Sequence, residues 1–180
     1  PGPTGGSKDS DSDFFFDVAA LLREAFLASL SPDVIHLTSL FEGYADDAVT
    51  SIGLLGDHHH VSVTLYDLIP LINLDTGLDR NPRFASFYKR KLSFLYKASL
   101  YLAISDFSKQ EGIELLSERE EKFVNISSAV SPSFHPTLVS ESDKESLFKK
   151  LGITGSFILT AGGFNERKNL QRLIAAFSNA

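Results

Sequence analysis

The chain has 180 residues, 43% of them hydrophobic and 22% charged, with a net charge of -6 and no cysteine. An acidic balance of this size argues against a generic nucleic-acid binder, which carries a basic face. The lack of cysteine rules out a disulfide framework, a thiolate zinc site and a cysteine nucleophile. No apolar run reaches the roughly 18 to 20 residues that a membrane span needs, so the expectation is a soluble protein.

Residues 1–13, "PGPTGGSKDSDSD", have no apolar period and read as a flexible lead-in. From 14 to 30, Phe15, Val18, Ala19, Leu22 and Phe26 recur at helical spacing. "VIHLT" at 34–38 and the β-branched "VSVTLYD" at 61–67 predict strands, with His36 as a satisfied core histidine. His58, His59 and His60 are adjacent in an extended segment, so their side chains alternate in direction and cannot all reach one metal ion. Asn81 as cap and Pro82 in the first turn open a helix over 83–99, with Phe84, Phe87, Tyr88, Leu92 and Leu95 facing inward. Its Arg83, Lys89, Arg90, Lys91 and Lys97 form a basic face, solvated or weakly docked on an anionic membrane.

"LYLAI" at 100–104 is a buried type of strand, Ser105 caps a helix to about 116, and "KFVNI" is the next strand. Residues 127–140 hold two prolines, five serines and no helical period, which predicts a connection between domains. A capping box of Ser142 and Glu145 then starts a helix to 151, followed by a strand over 157–161 and a final helix. The expected organisation is a first unit over 14–135 and the start of a second over 136–180, which breaks off inside an unfinished helical pattern. Alternation of strands and helices predicts an α/β fold with a parallel sheet covered on both faces. In such sheets ligands sit beyond the carboxyl ends of the strands.

Three places there can carry chemistry. Gly162 and Gly163 stand between a strand and a helix, so the backbone N–H groups at the positive helix end are open to a phosphate. Arg167 and Lys168 sit at that same end, where the helix dipole disfavours cations by roughly 0.3–1 kcal/mol each. A bound diphosphate would make them favourable; a plain tight turn is the alternative. Asp67, after Tyr66 at a strand end, can accept from a sugar hydroxyl or act as a base, or can cap the following turn. Ser105 and Ser108 can hold a hydroxyl or a phosphate at a helix N-terminus, or can serve as the cap.

Five segments in order, "PDVIHLTSLFEG", "VSVTLYDLIPLI", "ASLYLAISDFSKQE", "VNISSAVSPSFHP" and "FILTAGGFNERKNLQRLIAAF", resemble the retaining glycosyltransferases of family 4, and among them bacterial mannosyl- or rhamnosyltransferases of surface polysaccharide synthesis. The resemblance implies the GT-B architecture, two Rossmann-like lobes with the acceptor in the first and a nucleotide diphosphate sugar in the second, and no metal or cofactor. It implies that Tyr66 and Asp67 lie near the reacting sugar, where many relatives have His-Asp, and that Ser105 and Ser108 lie on the acceptor side. Gly162, Gly163, Arg167 and Lys168 would hold the donor diphosphate. The implied partners are the nucleotide sugar and a glycan or lipid-linked glycan, with no nucleic acid, and the implied location is the cytoplasm at the inner face of the membrane. A noncatalytic bilobal sugar-binding protein and a degenerate transferase subunit are the alternatives.

Overall fold

The computed structural model describes residues 9–56, 59–72, 78, 81–163 and 168–179. The chain divides into two compact units, Pro1–Val130 and Ser131–Ala180.

The first unit is built on four strands, β1 (Val34–Leu37), β2 (His60–Leu65), β3 (Leu100–Ala103) and β4 (Phe123–Asn125). All are parallel and lie in the order β1-β2-β3-β4, the parallel α/β arrangement that the alternating pattern predicted, and one consistent with the Rossmann-like lobe that the resemblance implied. Val61, Val63 and Leu65 of β2 and Tyr101 and Ala103 of β3 are buried, so the inner strands carry the core. Tyr101 is fully buried, stacks on Phe123 with ring centroids 4.5 Å apart and donates its hydroxyl to Leu95 O at 3.0 Å. His36 departs from expectation: it is exposed on the edge strand. Its ring is nonetheless satisfied, Nδ1 by Ser62 Oγ at 2.9 Å and Nε2 by Thr64 Oγ1 at 3.2 Å.

Helix α1 (Asp9–Ser29) begins inside the stretch expected to be a flexible lead-in. Propagating an established helix costs far less than nucleating one, so the extension needs no apolar period of its own. Ala20 is buried, while Phe15, Leu22 and Phe26 stay exposed. Phe16 packs against the core, and polar groups fasten the helix further. Glu24 accepts from Ser51 Oγ and Leu54 N, each at 2.6 Å, and Arg90 of the next long helix pairs with Asp17.

After a single turn, α2 (Ile69–Ile72), comes α3 (Pro82–Leu95). Its start follows the sequence: Asn81 is extended and its Oδ1 accepts from Phe84 N at 3.0 Å. Its end comes at Leu95 rather than 99, because the N–H of Ser99 is already bonded to Val61 O of β2 at 2.8 Å. Its basic face is also narrower than expected. Lys91 is fully buried and Arg90 lies over the Phe16 ring at 4.1 Å, so Arg83, Lys89 and Lys97 are the basic residues left exposed, and Lys97 Nζ donates to Gly53 O at 3.0 Å. Helix α4 (Asp106–Leu116) follows β3 directly, with Ser105 Oγ accepting from Ser108 N at 3.0 Å.

The second unit holds α5 (Glu141–Leu151) and α6 (Leu170–Ser178). The cap of α5 lies two residues earlier than expected. Ser140 Oγ accepts from Asp143 N at 3.1 Å, and Ser140, not Ser142, makes the reciprocal pair, donating to the Asp143 carboxylate at 2.6 Å. Residues 157–161, expected to be a strand, have no ladder partner among the described residues, and Leu159 is 85% exposed. A strand is defined by the partners of its backbone N–H and C=O groups, and the described part of this unit supplies none.

Candidate functional site

Because the four strands are parallel, Leu37, Leu65, Ala103 and Asn125 end on one edge of the sheet. Beyond the ends of β1 and β2 lies a cleft of about 300 Å³, walled by Phe41, Tyr44, Tyr66, Asp67, Phe84 and Phe87. Its aromatic wall is a packed cluster, with Tyr44 at 5.1 Å from Phe84 and 5.3 Å from Phe87 between centroids, and Phe41 stacked on Tyr88 at 4.8 Å. Asn81, besides capping α3, donates from Nδ2 to the Tyr44 hydroxyl at 3.0 Å.

The structure places Tyr66 and Asp67 side by side on the cleft, Tyr66 half-exposed and Asp67 exposed. Asp67 Oδ1 accepts from Ile69 N at 3.2 Å, so the carboxylate does cap the turn into α2 while facing the cleft. Ser105 caps α4, and Ser108, at 5% exposure, donates its hydroxyl to Tyr66 O at 2.6 Å. Both serines therefore already have structural duties at the strand edge.

In the second unit Gly162 has φ +130, in the region that favours glycine, and a Cβ built on it would come within 3.7 Å of Lys168 Cε. The stem of Lys168 thus passes over Gly162. Gly163 is exposed, and a Cβ built on it would meet none of the described residues within 4 Å. Asn169, the residue before α6, has φ +53. Arg167 lies outside the described residues, as does His58. Among the described residues no group of three or more His, Asp or Glu side chains is disposed to hold a metal ion, and no helix is long and apolar enough to cross a membrane.

Three residues at or under the cleft have polar roles that the sequence did not show: Glu111 was not singled out, Tyr88 was read only as inward-facing, and Lys91 as part of a basic face. Glu111, buried on α4, accepts from Leu68 N at 2.6 Å. The Tyr88 hydroxyl is buried and has no hydrogen-bond partner among the described residues, and its pKa is pushed up by burial first and then by Asp67 and Glu111. Lys91 donates to Thr50 O at 2.9 Å and to Thr50 Oγ1, which in turn donates to Leu40 O at 2.6 Å in the loop that forms one side of the cleft. Burial, and then the charges of Arg90 and Arg23, lower the Lys91 ammonium to about 8 against the pull of Asp46 and Glu42. Helical spacing did carry a signal here, since Lys91 falls on the stripe of Tyr88, Leu92 and Leu95.

No protein-family model matches the chain, and no solved structure matches it. Three sequences of a serotype-specific mannosyltransferase, WbdA of Escherichia coli, do: each is 34% identical over 160 residues, 89% of this chain. The chain spans only about one fifth of their length, 20%, 19% and 20%. The resemblance to bacterial glycosyltransferases that five sequence segments carried is therefore supported along most of the chain.

Proposed function

We propose that the chain is most of the acceptor lobe, and the first part of the donor lobe, of a GT-B mannosyltransferase that extends a polysaccharide in the cytoplasm. The single observation behind this reading is the 34% identity to mannosyltransferases over 89% of the chain. The cleft that opens where two parallel strands end, with Tyr66 and Asp67 on its wall, agrees with it. In this reading the donor is a nucleoside diphosphate mannose and the acceptor a glycan or lipid-linked glycan hydroxyl, transferred with retention and without a metal. Mannose is chosen over rhamnose because the matched relatives carry the mannosyl name.

Asp67 would accept a hydrogen bond from the acceptor hydroxyl and orient it. The aromatic wall would pack against the apolar faces of the sugar and exclude water. Gly162 and Gly163 would let the backbone approach the diphosphate, and Lys168, with Arg167, would neutralise charge as the nucleoside diphosphate leaves.

The test is mannosyl transfer by the complete polypeptide in which this chain lies, with the 180-residue chain alone expected to turn over negligibly. Lys168→Ala should lower kcat/KM by about 10- to 100-fold, the worth of one hydrogen bond to a charged group, about 1.5–3 kcal/mol. Unchanged turnover in that variant, or no mannosyl transfer by the complete polypeptide, would overturn the reading.

A further inference from the structure

We propose that Ser108 and Glu111, one turn apart on α4, are positioning residues for Asp67. They grip the backbone on each side of it and so fix where its carboxylate stands in the cleft. The inference rests on the reading of Asp67 as the group that meets the acceptor hydroxyl.

The two contacts bracket a single residue. Ser108 Oγ donates to the carbonyl of Tyr66 at 2.6 Å, and Glu111 Oε2 accepts from the N–H of Leu68 at 2.6 Å. The sheet ladder reaches only as far as Leu65, whose carbonyl receives Ile104 N at 3.1 Å. From Tyr66 onward α4 takes over what the sheet did before. Within the segment, Asp67 Oδ1 closes on Ile69 N, which ties the side chain to the same clamped backbone.

The clamp goes against what packing alone would select. Ser108 and Glu111 are 5% and 7% exposed, on the helix face that also buries Gly112 and Leu116. Burying a carboxylate costs several kcal/mol unless its hydrogen bonds are made, and an apolar side chain of similar size would cover the sheet without that cost. Gly112 is what lets the helix come so close. A Cβ there would stand 2.6 Å from Phe123 Cε1 and 2.7 Å from Leu65 Cδ2. Helix α4 is thus set down directly on Leu65, the last residue of β2, and Phe123, the first of β4, with its polar pair where the backbone leaves β2. Precision there matters, because misplacing a reacting group by about 1 Å can cost on the order of 100-fold in rate.

The experiment is a double-mutant cycle on mannosyl transfer by the complete polypeptide, with Glu111→Leu, Glu111→Gln, Asp67→Asn and Glu111→Leu combined with Asp67→Asn. Glu111→Leu is expected to lower kcat at least 10-fold with the KM for the nucleotide sugar unchanged. Glu111→Gln, which keeps an oxygen for Leu68 N, should recover most of that loss. In the Asp67→Asn background the Glu111→Leu penalty should shrink to less than 2-fold, since there is no carboxylate left to position. If Asp67→Asn is slow but Glu111→Leu costs the same factor in both backgrounds, the positioning role is refuted and the acceptor reading stands. An Asp67→Asn variant with wild-type turnover removes the acceptor reading and this inference with it. Should Glu111→Leu fail to fold, Ser108→Ala, which deletes one hydroxyl, takes its place in the cycle: a penalty that shrinks without the Asp67 carboxylate supports the positioning role, and an equal penalty in both backgrounds refutes it.

Discussion

Two apolar runs of nearly the same character meet opposite fates in this chain. "LYLA" at 100–103 is β3, paired on both sides, with Tyr101 and Ala103 fully buried. "FILTA" at 157–161 has no ladder partner among the described residues, and its Phe157, Ile158 and Leu159 are 51%, 59% and 85% exposed. Both have the composition of a buried strand, so composition cannot be what separates them. The separation lies in their neighbours: β3 stands between two strands, with α4 packed on it and the Tyr101 hydroxyl bonded to Leu95 at the end of α3. A preference for the strand state is a statement about fitting a pleated, half-buried surface, and it is realised only where that surface exists.

The sharpest way to break this comparison is to truncate one residue in each run. Tyr101→Ala should destabilise the first unit by about 3–5 kcal/mol, as large aromatic truncations in a core do. Leu159→Ala should stay within about 0.5 kcal/mol, as surface changes do. Urea unfolding of the two variants checks both numbers, and equal effects would mean that residues 157–161 pack as well as β3.

A smaller contrast uses two glycines. Gly112→Ala forces a methyl against Phe123 and Leu65 and should cost about 1–3 kcal/mol, the range for overpacking. Gly163→Ala meets none of the described residues within 4 Å and should change the unfolding midpoint little.

The smallest effect is a slope with pH. Lys91 titrates at about 8 in the fold and near its ordinary 10.5 when unfolded. Between these values the unfolded chain binds the proton that the folded chain sheds, so stability from this residue rises with pH and is lost again as pH falls toward 8. Measured from pH 8 to 9.5, below the ordinary tyrosine value of 10.0, the slope should flatten in Lys91→Met. An unaltered slope would show that Lys91 keeps its ordinary affinity for protons.

Much of the first unit was legible because its signals are local. The Asn81-Pro82 pair, Ser105 and the four strand cores each declare themselves within a few residues, and all stand where the sequence put them. Asp67 was legible as a candidate for the same reason, since it follows a strand. What was not legible is long-range. Glu111 meets Leu68 from 43 residues away and Lys91 meets Thr50 from 41, and a charged residue in a helix reads as solvent-facing unless its partner is known. The cap of α5 shows the limit of local signals too, for Ser140 and Ser142 both precede an acidic residue by three, and only geometry selects Ser140. The 157–161 segment fails for the opposite reason: its local signal is strong and its partners are missing from the described residues.

The order of the sheet has a consequence for how the protein is made. Each strand lies beside the one that precedes it in the sequence, β1 to β4 without a skip. A nascent chain leaving the ribosome would present every new strand to an edge already outside the exit tunnel, so the first unit could close stepwise during synthesis, N-terminal part first. None of the four described strands would have to wait for another of them to be inserted between it and its neighbour.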